Sequence, residues 1–144
     1  MGFLTKLFGP DPLAKAADNT LAGVVVVVGD ASVTIQKVME LTFKPTGASL
    51  HTFSESQSLL QFIKDHSPGV VLLDASLKPQ DGYDLCRVIR QLPGLAKIPA
   101  FILVSQFQRT DKEKLQSSMA NGTINKPFDS RVFLRTIAEA MKVQ

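Results

Sequence analysis

Five short, mainly apolar segments along this chain predict β-strands: 24–28, 50–53, 70–73, 100–104 and 123–125. The first, third and fourth are apolar throughout, which is typical of strands that are buried on both faces. The second and fifth contain polar residues as well. We therefore expect a sheet that is covered on both faces and has a strongly apolar centre.

Between and after these strands, apolar residues recur at helical spacing and predict five amphipathic helices. The second helix is predicted to begin with a capping box, in which Ser54 is the N-cap and Gln57 lies three residues into the helix. Asp129 or Ser130 is expected to cap the last helix. The inner faces of the first and last helices are expected to hold Ile35, Val38, Met39, Leu41, Val132, Phe133, Ile137 and Met141.

Strand and helix alternate five times, and this pattern predicts an α/β fold. We expect a five-stranded parallel sheet, doubly wound in the flavodoxin-like (βα)5 arrangement, because right-handed crossovers leave few other topologies. In such a sheet the functional site lies at the carboxyl ends of the strands. The residues that follow the predicted strands are therefore the candidates for chemistry: Gly29, Asp30, Asp74, Ser105 and Lys126.

The N-terminal segment, residues 1–22, is predicted to be an appended amphipathic helix and tether, and residues 23–144 are predicted to form the folded domain. Packing on the domain and docking on a partner or a membrane surface are both open for this helix. One lysine among two turns gives little attraction to an anionic surface. The apolar face of the helix, which Gly9-Pro10 ends, consists of Phe3, Leu4, Leu7 and Phe8.

Charge and composition narrow the classes of function. The chain has 144 residues with 16 basic and 13 acidic side chains, and the basic residues are spread out, which argues against a nucleic-acid partner. The single cysteine, Cys86, excludes an internal disulfide and a cysteine-based zinc cluster. The longest apolar run, 21–29, is too short for a membrane span and too far along the chain for a signal peptide. We therefore expect a cytoplasmic protein.

Two carboxylates, a hydroxyl and an amine are expected at one edge of the sheet. Asp30 and Asp74 follow neighbouring strands and together offer the oxygen ligands that Mg²⁺ prefers. A carboxylate can also act as a phosphoryl nucleophile, and Ser105 and Lys126 then stabilise charge on the transferred group. Alone, Asp30 is equally explained as a helix cap, Ser105 as a loop residue and Lys126 as a surface residue. Asp74 directly follows a buried strand, where a carboxylate without a partner is costly.

Five segments of the chain form a pattern when taken together: VVGDAS (27–32), VVLLD (70–74), DGY (81–83), FILVS (101–105) and NKPFD (125–129). This pattern resembles the receiver domain of bacterial two-component response regulators, in its single-domain, chemotaxis-regulator-like form. The resemblance covers 23–144, and the spacing from Asp30 to Asp74 and from there to Lys126 is also similar to that of the family.

This resemblance implies a phosphorylation switch in a phosphorelay. Asp74 would accept a phosphoryl group from the phosphohistidine of a sensor histidine kinase or phosphotransfer protein. Asp30, Asp74 and the backbone carbonyl of Ser76 would hold Mg²⁺, while Lys126 would contact the phosphate and precede a cis proline. Ser105 would move toward the phosphate and so change the surface that binds a downstream protein target.

Four positions depart from the family pattern. Gly29 replaces the first of two acidic residues after the first strand, so Mg²⁺ binding is expected to be weak. The change Gly29→Asp is expected to tighten it, provided that the backbone accepts a side chain there. Thr123 replaces an aromatic residue in the fifth strand, and Gln106 replaces a small residue after the site serine. Lys78 stands where the family usually has proline, and it either pairs with the site carboxylates or points into water.

These departures leave two interpretations of the resemblance. The first is a phosphoacceptor receiver, and the alternative is a pseudo-receiver that binds its partner without phosphorylation. In either case Phe107, an apolar residue in the loop after the fourth strand, is a candidate partner contact. No enzymatic activity is expected. An aspartate-nucleophile phosphatase needs a second aspartate where this chain has Ser76, and the carboxylate of Asp30 in the first loop opposes binding of a flavin phosphate.

Overall fold

The computed structural model describes residues 20–142 and places five strands and five α-helices in alternation along this range. None of these helices is long and apolar enough to cross a membrane. The predicted N-terminal helix lies outside the described residues. The elements are β1 (Val25–Gly29), α1 (Val33–Phe43), β2 (Ser49–Phe53), α2 (Ser56–Asp65), β3 (Val70–Asp74), α3 (Gly82–Arg90), β4 (Ala100–Ser105), α4 (Lys112–Ser118), β5 (Gly122–Lys126) and α5 (Ser130–Lys142).

All five strands pair in parallel, in the order β2-β1-β3-β4-β5. This order confirms the predicted doubly wound (βα)5 sheet. β3, in which every residue is buried, is central, and its register sets Asp74 beside Leu103 of β4. At the next pair, Ser105 of β4 lies beside Lys126 of β5. The carboxyl ends of β3, β4 and β5 therefore lie side by side at one edge of the sheet.

Each face of the sheet supports its own apolar core. Val27, Leu73 and Ile102 point to one face, where residues of α2 and α3 cover them. The side chains one position away along each strand point to the other face, against α1 and α5. This alternation explains why β1, β3 and β4 are apolar at consecutive positions, since both faces are buried.

Two residues that we predicted to be inward prove to be exposed. Leu41 is 71% exposed on α1, and Val132 is 59% exposed on α5. The buried stripe of α1 instead contains Met39 and Phe43, which lie four residues apart and hence on one side of the helix. Leu41 falls between them, on the opposite side. The same helical phase turns Val132 outward on α5, where Phe133 and Ile137 carry the contact.

The predicted capping box at the start of α2 is wrong. The N-cap is Glu55, whose side chain makes no capping hydrogen bond. Ser54 Oγ instead accepts a hydrogen bond from Gln36 Nε2 of α1 at 3.0 Å. The amide of Ser56 donates to the carbonyl of Lys78 at 2.9 Å, so the neighbouring loop satisfies the helix end. For α5, the Asp129 carboxylate accepts from the amides of Arg131 and Val132, which favours Asp129 over Ser130 as the cap.

Leu21, which the sequence places in the tether, is fully buried among core residues of α1 and α5. The amide of Gly23 donates to the carbonyl of Gly47 at 3.0 Å and ties this part of the chain to the turn after α1. The packed domain therefore begins at least two residues before the predicted boundary at Gly23.

Candidate functional site

Three of the predicted site residues meet at the carboxyl edge of the sheet. Lys126 Nζ lies 2.8 Å from Asp30 Oδ2 and 3.5 Å from Asp74 Oδ1. The side chain of Asp30 is 1% exposed, while those of Lys126 and Asp74 are 12% and 13% exposed. One ammonium thus faces two largely buried carboxylates at the carboxyl edge of the sheet.

The local role of Asp30 differs from a simple helix cap. Ser32 is the N-cap of α1, and its hydroxyl accepts a hydrogen bond from the amide of Ile35. Asp30 Oδ1 accepts from the amide of Ser32 at 2.9 Å, while Oδ2 pairs with Lys126. One carboxylate oxygen of Asp30 is therefore held by the local backbone, and the other faces Lys126 in the site.

Asp74 ends β3 with one carboxylate oxygen bound locally. Its Oδ1 accepts a hydrogen bond from the amide of Ser76 at 3.2 Å. Burial, followed by the nearby charge of Asp30, raises the pKa of Asp74, while the Ser76 amide and Lys126 act in the opposite direction. The Ser76 amide and Lys126 therefore offset only part of the cost of the negative charge on Asp74.

Gly82, at the start of α3, passes directly over the end of β3. A Cβ atom at this position would clash with the carbonyl oxygen of Asp74. Only glycine lets the chain pass this close, which gives the Asp-Gly pair of the sequence a structural reason. Asp81 is the N-cap of α3 and also pairs with Lys114 of α4, so the same turn links Asp74 to α4.

The position of the missing acidic residue, Gly29, is crowded by core side chains. A Cβ atom here would lie 2.7 Å from Leu59 Cδ1 and 2.9 Å from Leu77 Cδ2. The expected obstacle was backbone conformation, but Gly29 is not among the glycines with positive φ. The obstacle is instead crowding by two core leucines, so the expected gain in Mg²⁺ binding from Gly29→Asp depends on whether these side chains can move.

Ser105 lies at the end of β4 beside Lys126, but no hydrogen bond joins its hydroxyl to Asp74 in the described part of the chain. Its amide donates to Gln108 Oε1 at 3.3 Å, and Gln108 Nε2 donates to Ser76 Oγ at 2.7 Å. Gln108 was not among the predicted site residues, because a glutamine three residues beyond a strand gives no local signal of such a bridge.

Two further positions that depart from the family pattern are Thr123 and Lys78. Thr123 is half-buried on β5, beside Ile102 of β4. Lys78 is exposed and makes no ion pair among residues 20–142, which favours the interpretation that it points into water. The peptide bonds before Pro79 and Pro127 are both cis, and the second agrees with the expectation from the resemblance.

The oxygen atoms at this edge fit a hard divalent cation. Asp30 and Asp74 supply carboxylate oxygens, which are donors that Mg²⁺ prefers, while the backbone carbonyl of Ser76 stays a predicted ligand from the resemblance. No group of three or more acidic, histidine or cysteine side chains suited to a metal occurs within the described range. The site therefore offers two carboxylates rather than three, and Lys126 already contacts both.

Comparison with known proteins assigns this arrangement to a family. A family model described as the response regulator receiver domain matches residues 25–138. The chain belongs to this family. Receiver domains act in two-component signalling through contacts with histidine kinases or other proteins, so the recognition made from the sequence is confirmed.

Individual receivers show how far the likeness extends. Protein PilG of Pseudomonas aeruginosa is 28% identical over 115 residues, which cover 80% of this chain and 85% of PilG. The chemotaxis protein CheY4 of Vibrio cholerae superposes with a TM-score of 0.75 at 19% identity, over 83% of this chain and 99% of CheY4. The receiver domain of sensor histidine kinase PA1611 from Pseudomonas aeruginosa PAO1, solved with a magnesium ion in its active site cleft, gives 0.76 at 20% identity over 84% and 99%. The two structural matches confirm the fold.

Replacing Asp74 by asparagine is expected to stabilise the fold at neutral pH. Because the folded-state pKa of Asp74 is raised, its ionised form costs stability above that pKa, and the cost disappears as the pH falls through it. Thermal unfolding at a series of pH values should show Asp74→Asn melting roughly a few degrees above wild type at neutral pH, with the difference shrinking in acid. Glu55→Gln, at an exposed carboxylate, serves as the control. A midpoint for Asp74→Asn below wild type at neutral pH would contradict this assignment.

Proposed function

We propose that this chain is a phosphoacceptor receiver, which takes a phosphoryl group on Asp74 and signals by binding another protein. The observation that carries the proposal is the placement of Lys126 Nζ against both Asp30 and Asp74 at the carboxyl edge of the sheet. The phosphoryl donor is a phosphohistidine of a sensor histidine kinase or phosphotransfer protein. The chain has no enzymatic output of its own in this account, and its cytoplasmic location stays a prediction.

In the proposed reaction, a carboxylate oxygen of Asp74 attacks the phosphorus in line with the bond to the histidine nitrogen. That bond breaks, its electron pair stays on the nitrogen, and an acyl phosphate forms on Asp74. Negative charge spreads over the equatorial oxygens of the phosphoryl group. Lys126 can compensate this charge because its ammonium already lies 3.5 Å from Asp74 Oδ1. The amide of Ser76 keeps the carboxylate oriented.

Mg²⁺ is the proposed cofactor, with Asp30, Asp74 and the backbone carbonyl of Ser76 as its ligands. When bound, the ion neutralises charge on the transferred phosphoryl group. We expect weak binding, because Leu59 and Leu77 exclude a third carboxylate at Gly29 and Lys126 competes for the two that remain. The support for magnesium is the oxygen donor set and the ion in the related PA1611 receiver.

The alternative is a pseudo-receiver that binds its partner regardless of phosphorylation. Two observations favour it: the position of the missing acidic residue is filled by leucine side chains, and the Ser105 hydroxyl is not directed to Asp74 by any hydrogen bond. In both interpretations Phe107, which is 91% exposed, stays the predicted partner contact.

Incubation with acetyl phosphate and Mg²⁺, followed by intact mass measurement, distinguishes the two interpretations. The phosphoacceptor account predicts that wild type gains one phosphoryl group, whereas Asp74→Asn and a reaction without Mg²⁺ gain none. Asp65→Asn, which changes an exposed carboxylate at the end of α2, is expected to behave like wild type. Wild type that gains no phosphoryl group at high acetyl phosphate and Mg²⁺ would instead support the pseudo-receiver.

A further inference from the structure

The loop after β4 forms a tight turn in which Gln108 bonds to both the carbonyl and the amide of Ser105. The amide of Gln108 donates to the carbonyl of Ser105 at 3.0 Å, and Gln108 Oε1 accepts from the amide of Ser105 at 3.3 Å. Gln106 and Phe107 lie at the tip of this turn, both exposed. Both backbone polar groups of Ser105 are thus bonded to Gln108.

The same glutamine also reaches across the mouth of the site. Gln108 Nε2 donates to Ser76 Oγ in the loop after β3 at 2.7 Å, and the amide of Ser76 donates to Asp74 Oδ1 at 3.2 Å. A continuous series of hydrogen bonds therefore runs from Asp74 through Ser76 and Gln108 to Ser105. We call the two side-chain hydrogen bonds of Gln108, with the Ser76 hydroxyl and the Ser105 amide, the Gln108 clasp.

We propose that Gln108 is a positioning residue that restrains phosphorylation of Asp74 by holding Ser105 in its unphosphorylated position. This inference rests on the proposed function. In the proposed function the Ser105 hydroxyl moves toward a phosphoryl group on Asp74, and we infer that the amide of Ser105 shifts with it. The second atom of the Gln108 side-chain amide, Nε2, is bonded to Ser76, so this side chain cannot move freely with Ser105. The clasp must release Ser76 or Ser105 before the phosphorylated arrangement is complete.

The size of the restraint follows from its chemistry. The clasp consists of two side-chain hydrogen bonds between uncharged groups at a partly exposed site. Bonds of this type contribute modestly, because water competes for the same donors and acceptors. Loss of the clasp is therefore expected to favour the phosphorylated arrangement about threefold to tenfold. The turn that is released carries Phe107, so the restraint also acts on the predicted partner contact.

The test compares wild type with Gln108→Ala, Ser76→Ala and the double variant, and uses Gln106→Ala as the control because Gln106 is exposed in the same turn. The first readout is the rate of phosphorylation by acetyl phosphate and Mg²⁺, followed by intact mass. The second is the affinity for beryllofluoride, a stable mimic of the acyl phosphate. Each single variant is expected to raise both quantities about threefold to tenfold, and the double variant no further, because both residues form one clasp. A merely structural defect would lower the thermal midpoint without raising the affinity.

If the phosphorylation rate and the beryllofluoride affinity of Gln108→Ala are unchanged or lower, the proposed restraint is overturned. The proposed function stays intact in that case, provided that wild type is phosphorylated. Additive gains in the double variant, or an equal gain in Gln106→Ala, also overturn it. If neither wild type nor any variant takes up phosphate or beryllofluoride, the proposed function fails and the restraint fails with it. Phosphorylation of Gln108→Ala but not of wild type supports a clasp that is strong enough to block the reaction.

Discussion

Replacing Arg90 by methionine is expected to destabilise the protein by about 3 kcal/mol, because several buried acceptors lose their donor at once. Arg90, at the end of α3, is 7% exposed. Its guanidinium donates to the carbonyls of Leu95, Ile98 and Met119 and to the side chain of Asn121 at 2.5–3.1 Å. Burial lowers the pKa of this group, but the carbonyl dipoles replace its lost water.

The same contacts fix the position of α4. Met119 follows α4 directly, and Asn121 Oδ1 also accepts from the amide of Ala100 at the start of β4. Arg90 therefore joins α3, α4 and β4 at the end of the sheet away from Asp74. Urea unfolding of Arg90→Met and of Arg87→Met measures the effect, since Arg87 is exposed on the same helix and should change stability little. Equal stabilities of the two variants would refute the structural role of Arg90.

The second large effect is expected at Gly29. Gly29→Ala should cost about 1–3 kcal/mol, because its Cβ would lie 2.7 Å from Leu59 Cδ1 and 2.9 Å from Leu77 Cδ2 and the core must shift to admit it. Gly29→Asp should cost more, since it adds a carboxylate among apolar side chains. Restoring the family's acidic residue is therefore expected to damage the fold rather than to improve the metal site.

The control for the Gly29 prediction is a Leu59→Ala background, which creates space beside Gly29. In a Leu59→Ala background, Gly29→Ala should cost clearly less than in wild type, because its nearest obstacle has been removed. Urea unfolding of the four proteins measures this coupling. Equal costs in the two backgrounds, or a Gly29→Asp variant that is as stable as wild type and binds Mg²⁺ more tightly, would contradict the packing explanation.

The features that the sequence predicted well depend on local pattern combined with topology. Alternating apolar strands and helices predict a parallel sheet, and such a sheet brings the residues after its strands to one edge. For this reason Asp30, Asp74 and Lys126 could be identified as neighbours before any distance was known. Resemblance to the receiver family added their roles, and the family match over residues 25–138 confirms the recognition.

The features that the sequence did not predict depend on contacts between distant parts of the chain. Ser54 has the spacing of an N-cap, but its hydroxyl bonds to Gln36, eighteen positions away. Leu41 is apolar, yet the phase of α1 turns it into water. Arg90 and Gln108 bond to carbonyls and hydroxyls in other loops. The residues next to Arg90 and Gln108 in the sequence do not indicate these partners. Prediction of such contacts needs the three-dimensional structure.

The central claim, that Asp74 carries the phosphoryl group, is tested most directly by locating the modified residue. Borohydride reduces an acyl phosphate on aspartate to the alcohol, homoserine, and peptide mass spectrometry then identifies the converted position. The protein is first incubated with acetyl phosphate and Mg²⁺, reduced and digested, with an unphosphorylated sample treated in parallel. The account predicts homoserine at position 74 only, and only in the phosphorylated sample. Homoserine at Asp30 or another carboxylate, with Asp74 unchanged, would contradict it.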